Sequence, residues 1–156
     1  MNVRIVCVGK LKEKYLKDGI EEYAKRLSRF CKFEIIEVSE ELLSDTSQKS
    51  IQNVKTLEGE RIIAKLKGYS IALDLKGKML TSEELSKKVS SLKQSGTSTL
   101  TFVIGGSYGL SQNVLDKCDF SLSFGAITYP HQLIRLVLTE QIYRAFMIEE
   151  GSAYHK

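Results

Sequence analysis

The sequence predicts an α/β fold, a mostly parallel sheet with helices on both faces. Two observations carry that expectation. Short β-branched apolar runs alternate with helically spaced segments along the chain, the pattern of parallel strands joined by helical crossovers. The composition, 42% hydrophobic and 27% charged over 156 residues with a single Pro, fits one globular domain spanning 1–156, without repeat, low-complexity tract or linker. A chain of this length buries roughly 70% of its unfolded surface, so it needs neither disulfides nor a structural metal.

Each element follows in order. Val3 to Val8 is a β-branched run closed by Gly9, and a helical spacing through Tyr15, Leu16, Ile20, Tyr23, Ala24 and Leu27 comes next. Phe33 to Val38 reads as the second strand, and a helix pattern runs from Gln48 to Leu66, tolerating Gly59. The third unit pairs a strand at Tyr69–Leu75 with a helix at Ser82–Lys93, entered through Thr81 or Ser82 with Glu83 and Glu84 in its first turn. Thr99 to Ile104 is the fourth strand. A glycine loop, a short helix near Ser111–Lys117, a strand near Phe120–Phe124 and a long helix from Pro130 to Glu149 complete the chain.

The last helix is apolar around its whole circumference: Leu133, Ile134, Leu136, Val137, Leu138, Ile142, Ala145, Phe146, Met147 and Ile148 form no single stripe. Such a helix is buried on all sides, and one small sheet covers only one of them, so a homodimer is expected. Glu140 and Arg144 share one face of it and His131 and Arg135 another; structural ion pairs and functional groups are equally good readings of these.

Net charge is +4, and residues 10–32 hold eight Lys/Arg against four Asp/Glu, the whole excess. That concentration, which includes Lys10 and Lys14, suits contact with nucleic-acid phosphates as well as it suits a solvated helix face. Cys7, Cys31 and Cys118 are odd in number and follow no C-x-x-C spacing, and His131 and His155 have no ligand cluster beside them. No metal site and no disulfide framework are expected. No apolar run approaches the roughly 18 residues of a membrane span and the N-terminus lacks a signal-peptide layout, so a cytoplasmic location without membrane attachment is the expectation.

Two loops could carry chemistry. Gly105, Gly106 and Gly109 follow a strand and precede a helix, where glycines let backbone N–H groups approach a nucleotide-like ligand. The spacing G-G-x-x-G at the fourth strand, with no Asp or Glu between residues 120 and 139, is not the dinucleotide fingerprint. No G-K-[ST] follows the glycines, so a kinase-like reading falls away. The second loop, Phe124 to Pro130, also follows a strand. Open α/β sheets bind ligands at the carboxyl ends of strands, so these two loops and the strand end at Leu73-Asp74 suit an adenosyl group held largely by backbone.

Val103 to Leu110, Leu122 to Arg135, Glu140 to Phe146, Ala153 to Lys156, Val8 to Lys10 and Ala72 to Gly77 together resemble the RlmH family, compact SPOUT-class methyltransferases of large-subunit ribosomal RNA. The resemblance covers essentially the whole chain and is most specific in its last third. It implies a C-terminal trefoil knot, which ordinary chain-connection rules would not suggest. It also implies an obligate homodimer, S-adenosylmethionine as methyl donor, and methylation at N3 of a pseudouridine, on the assembled ribosome. By the same resemblance Leu73, Gly105, Phe124, Gly125, Ala126, Ile127, Thr128 and Tyr129 match cofactor-contacting positions. His131, Arg135, Glu140, Arg144, Tyr154 and His155 match polar positions near the RNA and the acceptor base. His155 or Tyr154 would assist loss of the N3 proton, and Arg135 or Arg144 would stabilise the charge left on the ring carbonyls. The rival readings are an RNA-binding module without catalysis, and a related methyltransferase acting on another rRNA or tRNA base.

Overall fold

The computed structural model describes residues 1–156. Five strands, β1 (Asn2–Val8), β2 (Lys32–Val38), β3 (Tyr69–Met79), β4 (Thr99–Ile104) and β5 (Phe120–Ser123), form one sheet in the order β2-β1-β4-β3-β5. Every strand pairing is parallel. The helices are α1 (Lys14–Leu27), α2 (Gln48–Ile63), α3 (Ser82–Gln94), α4 (Gln112–Lys117) and α5 (Leu133–Glu149).

The period of two along the central strands assigns their residues to two cores. Val3, Ile5 and Cys7 of β1 and Leu100, Phe102 and Ile104 of β4 join Leu27 of α1, Leu85 and Val89 of α3, and Leu138, Ile142 and Phe146 of α5 in the larger core. Val6, Val8 and Val103 point the other way, onto Ile62 of α2 and Val114 of α4. Both faces of the sheet are therefore covered, as the alternation predicts. Entry into α3 is fixed by a capping box in which the Thr81 hydroxyl accepts from the Glu84 N–H and the Glu84 carboxylate from the Thr81 N–H.

Three boundaries depart from the sequence expectation by more than one residue. β3 runs on to Met79, because the strand loops out between Leu73 and Lys78, both of which face Leu122, and then resumes pairing with β5. Gly77 makes the return possible: a Cβ there would lie 2.7 Å from the Ser121 backbone. α2 ends at Ile63 rather than Leu66. α5 begins at Leu133 rather than Pro130, since the Gln132 amide is engaged elsewhere, donating to the Lys10 carbonyl and accepting from the Lys12 N–H. The Pro130 carbonyl still accepts from the Ile134 N–H and leads the chain into the helix.

The cover over α5 also differs from the expectation. The chain's own α1 and α3 flank it, and Gly19 of α1 lets Leu136 come so near that a Cβ would meet its methyls at 3.0 Å. Ile134, Leu138, Ile142, Ala145 and Phe146 are buried within the single chain. What remains half-buried is one stripe, Leu133, Leu136, Val137, Glu140, Gln141, Arg144, Met147 and Ile148.

Candidate cofactor pocket and C-terminal network

A cavity of about 520 Å³ opens at the carboxyl ends of β3, β4 and β5, a size usual for small-molecule sites. Leu73, Asp74 and Leu75 enter from the looped-out part of β3, Gly105 to Leu110 from the loop after β4, and Phe124, Gly125, Ile127, Thr128 and Tyr129 from the loop after β5. His131 and Ile134 close the side toward α5.

Backbone, more than side chain, shapes this cavity. A Cβ on Gly105 would lie 2.7 Å from the Gly109 carbonyl carbon and 3.0 Å from the Leu110 nitrogen, so only glycine lets the loop fold on itself. The Gly109 N–H donates to the Gly106 carbonyl at 3.1 Å and completes the turn. Gly125 has φ +102°, and the Ser123 hydroxyl holds its turn, accepting from the Gly125 N–H at 3.1 Å. The same hydroxyl lies 3.1 Å from the Leu75 carbonyl, so the two rims share one tether. An adenosyl-sized ligand with a largely apolar body fits these walls; Asp74 supplies a carboxylate and His131 an imidazole. Burial first, and the Arg135 cation second, hold the His131 pKa below its usual value, so this ring is neutral at pH 7.

Of the residues the sequence singled out for the cofactor, Leu73, Gly105, Phe124, Gly125, Ile127, Thr128 and Tyr129 line the cavity, and Ala126 is not among the lining residues. Ser107 and Tyr108 fall inside the glycine loop 105–109 that the sequence marks, whereas Leu75, Leu110, Leu122 and Ile134 also line the cavity without having been singled out for the cofactor. The first three adjoin the strand ends and loops already marked, which was the available signal, and Ile134 in α5 carried none.

Arg135 corrects an expectation. It is 1% exposed, its Nη2 donates to the Val8 and Gly9 carbonyls at 2.6 and 3.0 Å, and its Nη1 bonds Glu37 at 2.8 Å. With those donors committed to the carboxyl end of β1, it is a clamp between α5 and the sheet, not a group free to meet RNA. Lys14 is also engaged, with Asp18 one helical turn on, while remaining at the surface. Lys10 is exposed beside the segment clipped by Gln132.

Glu140, Arg144, Tyr154 and His155 form a second constellation, outside the cavity lining. Arg144 donates from Nε and Nη2 to Glu140 Oε1 at 3.0 and 2.6 Å, and the Tyr154 hydroxyl donates to the same oxygen at 2.9 Å. Arg144 Nη1 lies 3.2 Å from His155 Nδ1, and His155 Nε2 lies 2.8 Å from Glu83. Arginine only donates, so Nδ1 accepts and the proton of the neutral ring sits on Nε2, directed at Glu83. Burial, then the neighbouring Tyr23 hydroxyl and the Glu140 carboxylate that accepts from Tyr154, push the Tyr154 phenol well above its ordinary range. The Tyr154 ring also packs edge-on against Tyr143 at 5.0 Å and lies under the Arg144 guanidinium at 4.9 Å. The last residues are thus a docked tail rather than a frayed end.

A parallel five-stranded sheet with a glycine-rich pocket at the carboxyl ends of its last three strands defines the class. The chain belongs to the SPOUT methyltransferase family, whose model, "Predicted SPOUT methyltransferase", matches residues 1–155. Its relatives narrow this further. It is similar to Ribosomal RNA large subunit methyltransferase H of Latilactobacillus sakei subsp. sakei (strain 23K), 58% identical over 100% of both chains. The protein of the same name from Streptococcus pneumoniae (strain CGSP14) is 54% identical, again over 100% of both. Among solved structures, a probable methylase family protein from Haemophilus influenzae Rd KW20 matches at a TM-score of 0.54 and 14% identity, over 99% of this chain and 70% of that one. A tRNA (m1G37) methyltransferase from Aquifex aeolicus matches at 0.53 and 12% identity, over 92% and 70%. These two likenesses concern the fold.

Proposed function

We propose that the chain is an S-adenosylmethionine-dependent methyltransferase of large-subunit ribosomal RNA that methylates N3 of a pseudouridine on the assembled ribosome. The observation that carries this reading is the cavity walled by the loops 105–110 and 124–129, in a chain with full-length relatives named for that RNA. Leu73, Gly105 and the 124–129 loop would hold the adenosyl group. The donor supplies a methyl group on a sulfonium, which leaves by in-line displacement when donor and acceptor are aligned.

The acceptor nitrogen must lose its proton, and the network at the tail bears on which group takes it. Tyr154, kept neutral and donating to Glu140, is a poor base at neutral pH, so the role falls to His155. In the docked tail Arg144 occupies the lone pair of Nδ1. His155 therefore acts after leaving Arg144, which is then free to face the carbonyl charge of the deprotonated base.

The separation of pocket and tail supports a composite site built by a homodimer, with the tail of one subunit over the pocket of the other. The half-buried stripe of α5, which carries Glu140 and Arg144, is the surface that would bring them together. Sedimentation equilibrium is expected to give twice 17.6 kDa. The same reading includes the C-terminal knot that membership of the SPOUT family implies. Mapping rRNA modifications by mass spectrometry in cells with and without the gene tests the activity. Loss of one methyl group from a large-subunit pseudouridine is the expected result, and an unchanged map would overturn it.

A further inference from the structure

Glu58 is the buried charged residue that the reading above leaves without a task. It lies on α2, is 4% exposed, and accepts from the Glu41 N–H at Oε2, 3.0 Å away. Its Oε1 is buried with no hydrogen-bond partner. That oxygen abuts the back of the glycine loop: a Cβ on Gly106 would lie 3.0 Å from Oε1 and 3.4 Å from Oε2. The front of Gly106 lines the cavity. The neighbouring Gly59 sets the register, because a Cβ there would stand 2.5 Å from the hydroxyl of Ser111, the N-cap of α4.

The surroundings leave this carboxylate uncompensated. Glu40 and Glu41 approach from the segment after β2, and the one nearby cation, Arg61, is bound to Glu41 and the Ser39 carbonyl. The contacts from β1 and the loop are the uncharged Val8 and Gly106. An unpaired buried carboxylate is costly unless something cationic arrives beside it. In keeping with that, burial pushes its pKa upward.

We propose that Glu58 is a positioning residue that acts through the Gly106 backbone, its negative charge making the pocket prefer the sulfonium donor over the neutral thioether product. The proposal rests on the S-adenosylmethionine reading. The donor sulfur carries one positive charge, and the product, S-adenosylhomocysteine, carries none there after the S–CH₃ bond breaks and the N–CH₃ bond forms. A fixed anion behind the loop therefore holds the donor and lets the product go.

Isothermal titration of both compounds into wild type, Glu58→Gln and Glu58→Met tests it, with circular dichroism as the check on folding. Gln keeps an acceptor for the Glu41 N–H and Met does not, while both remove the charge. The expected result is a fall on the order of tenfold in the donor-to-product affinity ratio for both variants, the scale of one charge acting across roughly 12 Å at an effective dielectric of about 20. Product affinity should stay within about threefold. An unchanged ratio in Glu58→Gln, or an equal loss for both compounds, overturns the proposal, and Gln decides alone if Met does not fold. Failure of the wild type to bind the donor is a different result, which removes the cofactor reading itself.

Discussion

The loops at 105–110 and 124–129 shape their cavity with backbone, through turns that only glycine allows, whereas the tail at 152–156 is held by charged side chains on the outer stripe of α5. The loops are rooted in strand ends of a sheet buried on both faces. The tail hangs on Glu140, which serves Arg144 and Tyr154 together, and on the Arg144–His155–Glu83 chain. The difference is one of permanence: a pocket made of turns is formed before a ligand arrives, and a latch made of ion pairs can exchange its partners. A composite site needs both kinds of part.

Gly105→Val is the harshest test of the backbone half. Its Cβ would meet the Gly109 carbonyl carbon at 2.7 Å, and a branched side chain could not be admitted without opening the loop. S-adenosylmethionine affinity is expected to drop by at least about 100-fold, while the circular dichroism spectrum stays that of the wild type. Titration with the donor checks this, and unchanged affinity would show that the loop does not form the cofactor wall. Deletion of residues 154–156 tests the other half. Methyl transfer to ribosomes from tritiated donor is expected to disappear while donor binding stays within about threefold, as fits groups that act only on the acceptor. A truncated protein that methylates at the parental rate would move the search for a base to His131, in the cavity itself.

The clamp between the two regions ranks next. Replacing Arg135 with Met takes the guanidinium donor from the Val8 and Gly9 carbonyls and leaves Glu37 with only the Leu11 N–H. Because Glu37 is 38% exposed and water takes part of that loss, about 3 kcal/mol of destabilisation is expected, read from urea denaturation. RNA affinity at fixed salt should not change beyond what partial unfolding explains. A selective loss of RNA binding in a fully folded variant would return Arg135 to the substrate surface.

Sequence alone reached the succession of strands and helices along the chain, but not the order of the strands in the sheet or their registers. The glycine loops are legible because their chemistry is local: a run of β residues, glycines, then a helix. The extension of β3 to Met79 is not, because it depends on how closely β5 approaches Gly77 from 44 residues further along. Arg135 looked like a catalytic cation because its partners, Val8 and Gly9, lie at the other end of the chain. Glu58 was invisible for the opposite reason, since a Glu in a polar helix reads as a solvated one until α2 is seen to press it against Gly106. The α5 pattern was read correctly as apolar all round, yet α1 and α3 supply more of the cover than the pattern discloses.

The smallest expected effect concerns the proton on Tyr154. Its phenol is raised from the usual 10.0 chiefly by burial, next by Tyr23, and then by the Glu140 carboxylate that its hydroxyl serves. A raised value means that the folded state keeps the proton when the unfolded chain releases it. The stability this contributes is fully present below about pH 10 and is lost as pH climbs from there toward the folded-state value. Urea midpoints should therefore fall above pH 10, and in an ultraviolet titration of the seven tyrosines one should ionise last. Glu140→Gln removes the third cause and leaves the first two, so the late step should move part of the way back and the alkaline loss of stability should soften without vanishing. If the late step stays where it was, the Tyr154–Glu140 bond contributes nothing to the latch. The tail would then be held by Arg144 and His155 alone, and the contrast between a fixed pocket and a releasable tail would rest on the His155 contacts with Arg144 and Glu83.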